Sequence, residues 1–145
     1  MREAAIAAVI ARLNTITVAN SYTLNVGKVS RLVNRDSLSA RQFPAIMVVD
    51  DADEQREPKA GGYADVYFTL NLVGFVSSRD NSSRDMNALD VAMKKAISTS
   101  RTLGGIVANV TILPRVETNL DGGEIETTFT RPIQIYYVAN EANGD

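Results

Sequence analysis

Two long alternating segments constrain this chain more than anything else in it. The first runs from Tyr63 to Val76 and the second from Glu124 to Val138. In the first, Val66, Phe68, Leu70, Leu72 and Val76 fall on one face, and Asp65, Tyr67, Thr69 and Asn71 on the other. In the second, Ile125, Phe129, Ile133, Ile135 and Tyr137 share a face. Period-two alternation marks a β-strand covered on one side. An extended chain rises about 3.3 Å per residue, so each segment spans roughly 45 Å. A compact domain of 145 residues is only about 40 Å across. Strands of this length cross the whole domain and are expected to overhang it. Overhanging ribbon needs a partner, so the chain reads as a subunit of an assembly.

Composition narrows the chemistry. The chain contains no histidine and no cysteine. A Ser-His-Asp or Cys-His triad is therefore excluded, as are disulfides, zinc ribbons and histidine-bound metals. Acid–base work would fall to carboxylates, lysine or tyrosine. The net charge of −2 gives no electrostatic case for gripping nucleic acid. Glu3 and Arg12 bracket an apolar stretch too short for a signal peptide, and no run approaches the roughly 18 apolar residues of a membrane span. The expectation is one soluble domain over residues 1–145, made in the cytoplasm.

The remaining elements follow from periodicity. Ile6, Val9, Ile10 and Leu13 recur at helical spacing over residues 3–13. Tyr22, Leu24 and Val26 alternate as a short strand ending at Gly27, and a second short strand is expected between Val29 and Asp36. Residues 37–42 are polar and read as a loop. Phe43 to Val49 is a near-continuous apolar run, expected as a central strand buried on both faces with Pro44 at its first position. Residues 51–62 carry charges of both signs, a proline and a glycine pair, and read as a mobile hairpin loop. Ser82 is a candidate cap, with Asp85 at the third helical position, for a helix whose stripe is Met86, Leu89, Met93, Ala96 and Ile97. Gly104-Gly105 breaks the chain, and residues 109–116 alternate as another strand. Asp121-Gly122-Gly123 is a tight-turn signal. Pro132 predicts an edge or a bulge in the last strand, and residues 140–145 a frayed tail. The fold class is α+β: a mainly antiparallel sheet of long strands with two helices packed on one face.

No constellation in this pattern is catalytic. Asp50, Asp51, Asp53 and Glu54 supply oxygens, but their spacing matches no calcium loop, so a solvated loop is expected. Glu57-Pro58-Lys59 has the Glu-x-Lys spacing of some metal-dependent nucleases, yet a proline separates the pair within a polar stretch. Gly104-Gly105 follows a helix, whereas a phosphate loop follows a strand and opens a helix. Tyr63, Tyr67, Tyr136 and Tyr137 lie on the long strands without an accompanying basic pattern, as cross-strand or interface tyrosines do. No metal, cofactor or catalytic residue is expected.

The order of elements carries a resemblance. An amphipathic helix precedes a short tyrosine-containing segment and the Phe43-Pro44-Ala45-Ile46-Met47-Val48-Val49 strand. A polar insertion then leads to a long strand ending near Gly74-Phe75-Val76, a helix, a Leu103-Gly104-Gly105 break, a strand, and a final strand ending Ile135-Tyr136-Tyr137-Val138. Over nearly its whole length the chain resembles the tail terminator, or tail completion, proteins of long-tailed bacteriophages, also called minor tail protein U-like.

That resemblance implies a structural virion protein in a hexameric ring at the head-proximal end of the tail, assembled in the host cytoplasm. The ring would stop tube polymerisation, join tail to head and leave a channel through which DNA passes in transit. The implied partners are other copies of the chain, the tail tube protein and a head–tail connector or neck protein, with no membrane. Contact candidates are Asp51, Asp53, Glu54, Arg56, Glu57 and Lys59 in the polar insertion, with Tyr67 and Asn71 on the polar sheet face. Excising residues 52–60 is then expected to spare the fold and impair assembly. The competing readings are another connector or the tube subunit of such a particle, a small carboxylate-dependent metal nuclease, and a binding module of a contractile injection system.

Overall fold

The structure is a computed structural model and describes residues 1–33, 37–77, 82–116 and 128–144. Its elements are α1 (Arg2–Leu13), β1 (Lys28–Ser30), β2 (Ala45–Pro58), β3 (Tyr63–Phe75), α2 (Ser82–Ser98), β4 (Asn109–Ile112) and β5 (Thr128–Asn140). The five strands form one sheet in the order β1-β2-β3-β5-β4. Among the described strands only the β1–β2 pairing is parallel. The α+β class is therefore as expected, with both helices on one face of a mostly antiparallel sheet.

The core follows from the alternation. Val66, Phe68, Leu70 and Leu72 of β3 and Phe129, Ile133, Ile135 and Tyr137 of β5 point toward the helices and are buried. Ala5, Ile6, Val9 and Leu13 of α1, and Leu89, Met93, Ala96 and Ile97 of α2, close over them. Gly74 is needed at its place: a Cβ there would meet the Phe129 ring and the Leu89 side chain. A smaller cluster of Val33, Ala45 and Phe75, with Leu38, Phe43, Met47 and Val73 packed against it, covers the other face at one end of β2. The apolar half of β2 is thus sheltered on both sides, with Pro44 just ahead of it.

Several expectations change. Residues 22–26 form no strand, with a bend at Thr23 and Leu24, and the only strand before β2 among the described residues is Lys28–Ser30. A Val26 N–H to Ile16 carbonyl bond holds this segment against the end of α1, so its alternation serves packing and not a ladder. Residues 51–58 are not a loop. They continue β2, and the turn spans only residues 59–62. β4 stops at Ile112, and Val116 rejoins through a single bridge to Thr130. Ser82 is already the first helical residue of α2.

The last strand begins at Thr128 among the described residues and runs to Asn140; its predicted start at Glu124 and the turn at residues 121–123 lie outside them. Pro132 stands in an internal, unbulged stretch of β5 opposite Asn71. It is tolerated because β4 ends one residue earlier, at the Ile112–Ile133 pair. Leu113 N–H donates to the Pro132 carbonyl, and Arg131 Nη1 donates to the Leu113 carbonyl at 2.9 Å, standing in for the donor that proline lacks. The expected fraying of the tail is also corrected. Residues 141–143 make a short 3-10 turn, and Glu141 N–H bonds the Gly62 carbonyl at 2.9 Å. Asp145 lies outside the described residues.

Candidate assembly surface

The β2–β3 hairpin brings most of the predicted contact residues together. β1 covers β2 only at Ala45–Met47, so from Val48 onward β2 is the sheet's outer strand among those described. Every residue from Asp51 to Pro58 is exposed. Pairing with β3 is regular from Ala45 to Asp50 and again from Glu54 to Pro58. Asp51, Ala52 and Asp53 form the irregularity between these runs, with Asp53 N–H donating to Asp51 Oδ1 at 3.2 Å.

Arg2 at the start of α1 grips this irregularity. Its Nε donates to Asp50 Oδ2 at 3.0 Å, Nη2 donates to the Asp51 carbonyl at 2.6 Å, and Nη1 pairs with Glu54 at 3.2 Å. The guanidinium lies 4.3 Å from the Phe68 ring centroid. Its pKa is raised above the ordinary arginine value, first by the hydrogen bond to Asp50. Arg56 continues the chain of charges, 3.4 Å from Glu54 and 3.6 Å from Glu141. Glu54 and Arg56 pair with Phe68 and Val66, so they lie on the helix side of the sheet.

Among the described residues no α-helix packs on the opposite face of the sheet. Asp65, Tyr67, Thr69 and Asn71 of β3 stand beside Val138, Tyr136, Gln134 and Pro132 of β5. Tyr67 and Tyr136 stack at 4.8 Å between centroids and 15° between planes. Tyr136 donates its hydroxyl to Asp65 Oδ1 at 2.7 Å, and Lys59 Nζ lies 3.4 Å from the same oxygen. The Tyr136 pKa is raised, chiefly because a proton shared with a carboxylate is harder to remove. Glu57 pairs with Asp65 and shares this face.

The predicted residues therefore divide. Asp51 and Asp53 sit in the bulge, Glu54 and Arg56 on the helix side, and Glu57, Tyr67 and Asn71 on the open face. Lys59 is in the turn and reaches the open face. Reasoning from sequence missed Arg2, Asp65 and Gln134 as members of this surface. Asp65 and Gln134 were marked by the alternation, since each occupies the polar phase of a long strand. Arg2 carried no such signal: its partners are more than 45 residues away, at Asp50 and Glu54.

Among the described residues no group of three or more Asp or Glu side chains is placed to hold a metal ion. Gly104 and Gly105 both have positive φ and close a turn after α2, where Ser100 Oγ and Thr102 Oγ1 accept their N–H groups. They do not end the helix, which stops at Ser98; they lie in the run of turns that follows it. No helix among the described residues is long and apolar enough to cross a membrane. No protein-family model matches this chain, and no curated protein matches it.

Proposed function

We propose that the chain is a structural subunit of a closed ring, and specifically that it caps the head-proximal end of a long-tailed bacteriophage tail tube. The observation that carries this reading is the outer half of β2. Residues 54–58 are locked into a ladder and braced by ion pairs, yet they are exposed on both faces. An ordered, polar strand at a sheet edge is a template for pairing with another chain. Beside it, the Tyr67–Tyr136 face offers rigid aromatic and amide groups of the kind enriched in interfaces.

In this role the subunit works by recognition and not by bond chemistry. One surface of the ring docks on the last ring of tube subunits, and the other presents a different interface to the head–tail connector. Tube subunits then cannot add. The ring leaves a channel for DNA, and a slightly acidic chain does not hold DNA in transit. The protein would reside in the virion.

Light-scattering mass across a concentration series, with negative-stain imaging of the same fractions, tests the proposal. Discrete rings that block tube growth when added to polymerising tube protein are the expected result. Open-ended tubes of this chain alone would make it a tube subunit. Metal-dependent nicking of DNA would replace the structural reading with a nuclease.

A further inference from the structure

The ring reading leaves open which surfaces of neighbouring copies meet. Resting on that reading, we infer that the outer half of β2 in one subunit pairs with β4 of the next, extending the sheet across the interface. The hydrogen-bond phase of each strand fixes how. Lys59 N–H donates to the Tyr63 carbonyl at 2.7 Å, so Lys59 and Tyr63 form a bonded pair. Bonded and non-bonded pairs alternate along an antiparallel ladder. Glu57 and Gln55 therefore direct their backbones toward β3, while Glu54, Arg56 and Pro58 direct theirs outward. Pro58 fits this phase, since its missing N–H costs nothing inside the sheet. On the far side, Leu113 N–H bonds the Pro132 carbonyl, so Leu113, Thr111 and Asn109 face β5, and Val110 and Ile112 face outward.

The two edges match. They lie at the same level of the sheet, because Glu54, Phe68, Ile135 and Val110 form one row across it. Three antiparallel steps separate β2 from β4, so a neighbour's β4 meets β2 antiparallel. One register sets both outward residues of β4 against outward β2 residues that still have an N–H to donate: Glu54 with Ile112 and Arg56 with Val110; shifting by two residues would place Pro58 in the ladder. Charge complements the geometry. At the β2 edge Glu54 is already paired with Arg2 and Arg56, and Lys59 with Asp65, which leaves Asp51, Asp53 and Glu57 as carboxylates without an ion pair among the described residues. Beside β4, the exposed Arg101 makes no ion pair among the described residues and instead donates Nη1 to the outward Val110 carbonyl at 3.1 Å. In the single chain Arg101 thus shields the edge; in the paired register Arg56 arrives opposite Val110, so Arg101 leaves that carbonyl, and Glu57, one residue further along the arriving strand, is the carboxylate it would then pair with. Two different edges on opposite sides of one sheet make a head-to-tail contact, the type that closes into rings.

The register places Gln55 against Thr111 of the neighbour in a non-bonded pair, with Cα atoms about 4.5 Å apart, within disulfide range. Both are exposed, and the chain has no native cysteine. A Gln55→Cys/Thr111→Cys chain should therefore give a ladder of covalent oligomers up to the ring on mild oxidation, whereas each single variant should not. Rings on the grid without a ladder would overturn the edge pairing and leave the ring reading standing. Cross-linked open filaments would support the pairing and defeat the ring. Monomers with no ladder, from a double variant melting like the parent, would overturn the pairing. Arg101→Glu should weaken association by about tenfold or more through like-charge contact, with Glu57→Lys restoring it. Undiminished association of Arg101→Glu would overturn the proposal.

Discussion

Two of the ion-pair networks among the described residues do different work. One lies between α2 and β5. Asp90, 5% exposed, takes two hydrogen bonds from Arg131 at 2.9 and 2.7 Å, and Arg115 stands 3.9 Å away while stacking on Phe129 at 4.6 Å. The other is the Arg2–Glu54–Arg56–Glu141 chain along the hairpin, whose side chains are between 22% and 51% exposed. The residue types are the same and the surroundings are not. Inside, a charge stripped of water must be matched or it is costly. At the surface, water competes and each pair contributes little. The inner network fixes where α2 sits on the sheet. The outer one holds the shape of an exposed sheet edge.

Asp90→Ala is the severest test of that contrast. It removes the carboxylate that matches the Arg131 charge at a buried site, and the expected loss is about 3–5 kcal/mol in a urea titration, nearly unchanged between low and high salt. A smaller effect is expected from Gly74→Ala, which forces a methyl group into the Phe129 and Leu89 side chains on the same buried side. Overpacking of this kind costs about 1–3 kcal/mol. Arg2→Ala should cost about 1 kcal/mol or less and lose even that in high salt. Its signature is local: faster amide exchange at Gln55 and Glu57, with the β3–β5 ladder unchanged. If Arg2→Ala destabilised the chain as much as Asp90→Ala, the contrast would collapse.

The same contrast explains what could be read from sequence. β3, β5 and α2 each bury one face, so apolar residues repeat at the period of the element and announce it. The outer half of β2 buries neither face, and nothing selects apolar residues in either phase. Three bulged residues then shift its register. Asp51 to Pro58 therefore looks like a loop while forming a strand, and the excision of residues 52–60 takes on a new meaning. It removes the five pairs from Glu54 to Pro58, so the fold should weaken along with assembly. Of the surface itself, the alternation gave away the β3 side, Tyr67 and Asn71. Arg2 and its grip on Asp50 stayed hidden, because no periodic signal links residues so far apart in the chain.

The Tyr136–Asp65 pair supplies the finest test, because it sits on the open face beyond both networks. The hydroxyl donates to the carboxylate, so the folded chain holds this proton more tightly than the unfolded chain, whose tyrosine titrates near 10. A raised pKa in the folded state means that the contribution is fully present below about pH 10 and is lost as pH rises through the folded value. Tyr136→Phe removes the bond while keeping the stack on Tyr67. The variant should therefore be less stable than the parent at pH 7–9, and the gap should narrow steadily above about pH 10. Taking the difference between the two chains cancels the other tyrosines and the lysines, which titrate in the same range. A gap that stays constant to pH 11 would mean that the hydroxyl is not bonded to Asp65 in solution. The open face would then rest on the aromatic stack alone.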